Sequence, residues 1–245
     1  MFRALIIFIV LVGINCAKFP SDLQKCKYGD MTCVIKVANE IMARSANGLP
    51  ELGFPSTDPL VINRIGLNQD GDRPVVLNIE LSDCKMSGLP TTNFTSIQGF
   101  SDNIDKAKIL LKYKQDHIQL FGPYKAKGKI LVLPMNGDGE ANITFTGVDG
   151  IVKMLTKKIL KNGKNYMQID KLRMNFDVKR ASFNFTNLFN GNVQLGDALN
   201  KFINENWKDI LNDLKPAMAD SLGSIYKSLL DNMFSNIPYD EFFEK

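Results

Sequence analysis

The chain has 245 residues, of which 44% are hydrophobic and 23% charged, with a formal net charge of +4. That composition belongs to a folded globular protein and suffices for one large domain or two small ones. The lysines are spread along the chain and form no concentrated basic stripe, so nucleic acid is not an expected partner.

Arg3 and the unbroken apolar run Ala4 to Val12 read as a secretory signal peptide over residues 1–17. The run is too short to span a bilayer, which takes roughly 20 apolar residues. Cleavage is expected after Cys16 or Ala17. A lipid anchor on Cys16 is the rival reading, and Asn15 in place of a small residue before that cysteine argues against it. No later segment reads as a membrane span, so residues 18–245 are expected to form one secreted, extracellular domain without stable membrane insertion.

Cys26 and Cys33 enclose only Lys27 to Thr32. In an oxidising compartment such a pair points to a local disulfide, which contributes on the order of 2–3 kcal/mol because its loop is short. Cys84 is left over, either buried in a strand as a small hydrophobe or joined to another molecule. Asn93, Asn142 and Asn184 each begin an Asn-x-Thr sequon and are expected as glycan sites on the surface of a secreted chain.

A helix is predicted from Met31 to Ala46, with Val34, Val37, Ala38, Ile41 and Met42 on one face. Asn47-Gly48-Leu49-Pro50 ends it. Residues Glu51 to Asp72 read as an extended, turning segment. From Arg73 the period becomes two: Val75, Leu77, Ile79 and Leu81 alternate with polar neighbours, as in a half-buried strand. Further strands are predicted over Ala107 to Tyr113, His117 to Leu120, Tyr124 to Leu133, Ala141 to Val148, Tyr166 to Phe176 and Lys179 to Phe185. Turns are placed at Gly122-Pro123, Asn136 to Gly139 and Asn162 to Asn165, so neighbouring strands should pair antiparallel. Val193 to Phe234 carries a helical apolar stripe that passes through Ile225 and Leu229, with a kink expected near Leu214 because Pro216 lies inside it. Such a helix would be roughly 60 Å long, so an elongated molecule is expected, with a curved sheet wrapped along the final helix.

Catalytic machinery is not apparent. His117 is the one histidine, and neither a Gly-x-Ser-x-Gly elbow nor a His-Glu-x-x-His pair is present. Gly137-x-Gly139 leads into another strand, unlike a phosphate loop. No catalytic residue, metal site or cofactor is therefore expected. The phenylalanines and methionines are numerous enough to line a cavity as well as fill a core. Ligand contacts are placed on the inner face of the long helix at Phe202, Ile203, Leu211 and Leu214. Leu77 and Ile79 on a strand are added, with Tyr113 or Tyr124 supplying a polar contact.

Several segments together resemble the insect takeout and juvenile-hormone-binding proteins across the whole mature length. They are Cys26-x6-Cys33, Pro59-Leu60-Val61-Ile62, Gly122-Pro-Tyr-Lys-Ala-Lys-Gly-Lys-Ile-Leu-Val-Leu-Pro134 with Gly137-x-Gly139, and Ala141-Asn-Ile-Thr. The ending Trp207, Pro216, Phe234 and Ile237-Pro238-Tyr239-Asp240-Glu241-Phe242-Phe243 completes the set. The resemblance implies an α+β fold: a strongly curved antiparallel sheet around one long C-terminal helix, enclosing a hydrophobic tunnel. It implies that Cys26 and Cys33 form the family disulfide. The second disulfide of the hormone-binding branch has only Cys84 to draw on, which tilts the reading towards takeout-like proteins. The implied function is a secreted, monomeric carrier of a small hydrophobic ligand such as juvenile hormone, another terpenoid or a fatty acid, tied to circadian, feeding or chemosensory physiology. A secreted interaction protein with a filled core, acting on a receptor, is the alternative, and a carboxylate-based hydrolase a third.

Overall fold

The computed structural model describes residues 19–244. The expected signal peptide and its cleavage site lie outside the described residues. Helix α1 spans Met31–Arg44, opened by Asp30, whose carboxylate accepts a hydrogen bond from the Cys33 N–H at 3.0 Å. Six strands follow: β1 (Leu60–Gln69), β2 (Val75–Ser87), β3 (Asn93–Gln98), β4 (Lys108–Ile130), β5 (Leu133–Lys161) and β6 (Lys164–Phe185). Helices α2 (Val193–Glu205) and α3 (Trp207–Asn236) close the chain.

All strands pair antiparallel in one sheet ordered β1-β2-β4-β5-β6, with β3 also paired to β4. β4 carries β5 along one edge and, end to end along the other, β2 and β3. β5 has 29 residues and would reach about 95 Å if straight, whereas the 30 residues of α3 measure about 45 Å. A sheet about twice as long as the helix it packs on must coil around it. The result is the α+β half-barrel wrapped on the C-terminal helix that the sequence led us to expect.

Several boundaries differ from the sequence reading. β1 occupies part of the segment read as irregular, and β3 had no predicted counterpart. Gly122-Pro123 is not a turn but the middle of β4. It lies opposite the register shift between Leu81 and Lys85 of β2, where the ladder is interrupted and a residue without an N–H is tolerated. Gly122 there abuts Cys84, whose Cα would stand 2.8 Å from any Cβ at position 122. The β4–β5 hairpin turns at Leu131 and Val132, so Asn136 to Gly139 lies inside β5. Its glycines make room for neighbours: Gly137 for the Tyr124 ring and Gly139 for Thr186. The turn at Asn162-Gly163 is where it was predicted, both residues having positive φ. The final helix breaks at Asn206, not at Pro216, which stays within α3.

The β6 edge is covered by helical side chains in place of another strand. Asn200 accepts from the Phe185 N–H and donates to its carbonyl, both at 2.9 Å. Asn204, one turn on, does the same with Phe183 at 2.9 and 2.7 Å. Further along, Asp231 accepts from the Ile169 N–H at 2.7 Å. On α1, Asn39 pairs in the same manner with Phe94 of β3, at 2.6 and 3.1 Å.

Candidate functional site

α1 is the wedge that makes the site. It packs on β3 and faces the C-terminal half of α3 across a space that they line together. A cavity of about 890 Å³, solvent at its mouth included, lies between them. Val34, Val37, Ala38, Ile41 and Met42 all line it, the complete apolar face read from the sequence of α1. The opposite wall is Leu230, Met233 and Phe234 of α3. The exposed Gln24 stands at the rim.

Residues 19–33 and 239–244 form a clasp that contributes to the lining of this cavity. The Cys26–Cys33 disulfide is formed, with a Cα–Cα separation of 5.7 Å. Tyr28 in its loop stacks on Phe243 with ring centroids 4.3 Å apart, and the Glu244 N–H donates to the Cys26 carbonyl at 2.9 Å. Phe242 packs on Phe19 at 5.5 Å. Phe242, Phe243 and Tyr239 then face the cavity.

A second cavity of about 630 Å³ continues along α3 and shares Met42, Phe54, Phe94, Leu111 and Leu230 with the first. Tyr226 and Leu229 of α3 line it opposite Tyr113 of β4. Among the described residues, no side chain lining either space is charged. The hydroxyls of Thr57 and Thr92 are already used: Thr57 donates to the Ser45 carbonyl at 2.8 Å and Thr92 to the Leu89 carbonyl at 2.7 Å. Burial pushes the Tyr113 hydroxyl up to about 12 and raises that of Tyr226 further, with a smaller contribution from Tyr113 itself. Such a lining can dissolve an apolar molecule and offer it neutral hydrogen-bond donors. Among the described residues no group of acidic, histidine or cysteine side chains is arranged to hold a metal.

Of the residues proposed from sequence as ligand contacts, Tyr113 lines the second cavity. Leu77, Ile79, Tyr124, Ile203, Leu211 and Leu214 are buried in the hydrophobic core, and Phe202 packs against it; none lines either cavity. Tyr124 is fixed there by donating to the Thr186 carbonyl at 2.9 Å and by packing on Phe185. The apolar stripe of the helix is continuous, so spacing alone cannot tell which part meets packed side chains and which meets the space beside α1. Sequence reading passed over Tyr226, although its spacing from Leu222 and Leu229 puts it on the inward stripe. Cys84 is buried and unpaired. Asn93 and Asn184 are exposed; Asn142 is half-buried and accepts from Gln119 at 2.9 Å.

The sequence matches the family model for haemolymph juvenile hormone binding protein over residues 4–244. It is 26% identical over 231 residues to the circadian clock-controlled protein daywake of Drosophila melanogaster, covering 93% of this chain and 89% of that one. Against the Drosophila yakuba daywake protein the identity is 24% over 230 residues, covering 92% and 88%. The crystal structure of Epiphyas postvittana Takeout 1 superposes with a TM-score of 0.75 at 25% identity, covering 90% of this chain and 99% of that one. The family match runs through every strand and both cavity walls: the chain belongs to the haemolymph juvenile hormone binding protein family.

Proposed function

We propose that the protein is a secreted carrier that encloses one small hydrophobic ligand in the two joined cavities. The observation that carries this reading is the pair of uncharged spaces, about 890 and 630 Å³, sharing a wall beneath α1. Burying each CH₂ stabilises a complex by about 0.8 kcal/mol, so a chain of about 15 carbons gains roughly 10 kcal/mol gross. Losses of rigid-body and chain freedom offset several kcal/mol of that, leaving micromolar to nanomolar affinity within reach. A terpenoid such as juvenile hormone, a fatty acid or a similar lipid would fit this description. The likeness to daywake and Takeout 1 supports a takeout-like role in circadian, feeding or chemosensory physiology. The protein acts as a monomer, with glycans on Asn93, Asn142 or Asn184. Asn142 and Asn184 are direct cross-strand partners, so their glycans would compete for one patch of surface.

Native mass spectrometry of protein secreted from eukaryotic cells, followed by lipid extraction, tests the reading. A stoichiometric apolar species of one chemical class is the expected result. Protein that emerges empty and also ignores added juvenile hormone, fatty acids and a fluorescent apolar probe would favour an interaction protein acting on a receptor.

A further inference from the structure

On the outer face of the sheet, Lys153 of β5 stands directly opposite Arg173 of β6. Like charges facing one another across an antiparallel pair are destabilising. Three lysines add to the repulsion. One step along the strands Lys108, Leu155 and Lys171 lie side by side; one step the other way come Lys112, Ile151 and Asn175; Leu110 completes the middle row beside Lys153. With strands about 5 Å apart and alternate residues about 7 Å apart, each cation has another within about 10 Å. That is close to the screening length at physiological salt. All five side chains are exposed, and among the described residues none of them is ion-paired.

The same sheet compensates its charges just beyond the patch. The next row is Lys114, Asp149 and Asp177, in which Lys114 bridges to Asp149 and Asp177 to Lys215. Asp170, the acid beside Lys171, is engaged by Lys157. The five cations therefore form one uncompensated island. Apolar side chains are set among them: Ile151 is 39% exposed, and Leu110 and Leu155 are half-buried. Strand alternation turns these residues outward and turns Leu111, Val152 and Met154 inward, where they line the cavities. The island is thus the outer surface of the cavity wall.

From this arrangement we infer that the outer face of β4, β5 and β6 docks the protein on an anionic phospholipid surface. Lys108, Lys112, Lys153, Lys171 and Arg173 meet the headgroups, and the apolar side chains between them settle at the same level. A soluble polyanion would engage the cations alone and leave Ile151 without a role. Attachment is peripheral, since among the described residues no helix is long and apolar enough to cross a membrane. The inference holds whatever fills the cavities.

Co-sedimentation of the full secreted protein with phosphatidylcholine vesicles, with and without about one-third phosphatidylserine, tests it. Binding is expected to the anionic vesicles alone and to weaken steeply as salt is raised. Lys153→Glu should weaken it about tenfold. The same substitution turns a like-charge pair into an opposite one, so it should raise the thermal midpoint, which separates lost docking from lost folding. Lys127→Glu, with the same change in net charge near the other end of β4, should bind within about twofold of wild type. Ile151→Thr should weaken vesicle binding about threefold and leave heparin binding unchanged. Equal binding to neutral vesicles, equal losses in Lys153→Glu and Lys127→Glu, or an Ile151→Thr variant that binds vesicles like wild type would each overturn the docking face. Binding to heparin with none to anionic vesicles would overturn it in favour of a soluble polyanion.

Discussion

Gly150 has no side chain because Tyr113 occupies its place. Gly150→Ala should therefore act at a distance from itself. The new Cβ drives the ring off the sheet, and we expect a loss of about 1–3 kcal/mol in urea unfolding together with weaker ligand binding. The same change at Gly71, where a Cβ would meet nothing within 4 Å but φ is positive, should affect stability alone. Cys84 is the opposite case, a reactive residue made inert. It is buried and unpaired beneath Gly122, and burial raises its thiol above the usual range. A thiol reagent should leave native protein unlabelled and modify one cysteine once denaturant is added; rapid native labelling would show that this part of the sheet opens.

At the level of elements, helical amides do the work of a missing strand. Asn200 and Asn204 sit four apart on α2 and meet Phe183 and Phe185, two apart on β6. Two periodicities, of helix and strand, coincide at that spacing. Each amide satisfies a backbone N–H and carbonyl that are otherwise unpaired, so Asn200→Ala and Asn204→Ala should each cost about 1–3 kcal/mol in chemical unfolding. Nothing in local sequence marks these asparagines, which read as the polar face of a helix until β6 is seen beside them. The mismatched strand boundaries have a related cause. Gly122, Pro123, Gly137 and Gly139 carry the composition of turns, yet their small or N–H-deficient backbones serve close approach inside long strands, a tertiary demand invisible to neighbours in sequence. What was legible was whatever depended on local period or spacing: the face of α1, the Cys26–Cys33 loop, the turn at Asn162-Gly163, and strands succeeded by an amphipathic helix. The cavity was half legible, its α1 wall by period and its position along α3 not at all.

For the molecule as a whole, the buried tyrosines should lower stability in alkali. Tyr113 and Tyr124 are pushed up to about 12, chiefly by burial, and Tyr226 and Tyr239 are raised as well. In the unfolded chain these groups ionise near pH 10. A raised folded-state value means that the fold holds the proton more tightly, so this contribution is intact below about pH 10 and is lost as the pH rises from there through about 12. Thermal midpoints followed by circular dichroism should fall over that interval, with tyrosinate absorbance appearing together with unfolding. Tyr113→Phe and Tyr226→Phe should flatten the decline. Retention of the neutral-pH midpoint in strong alkali would mean that these rings ionise in place.

The amides that cover β6 have one more consequence, and it concerns crowding in a biological fluid. A curled sheet that does not close on itself ends in two rims of backbone polar groups, and a bare rim is a template onto which another polypeptide can add as a strand. Here Asn200, Asn204 and Asp231 occupy the β6 rim from within the same chain. An open half-barrel thereby keeps a space that a closed barrel of the same strands would fill, without offering those stretches of β6 as a seed for fibrils.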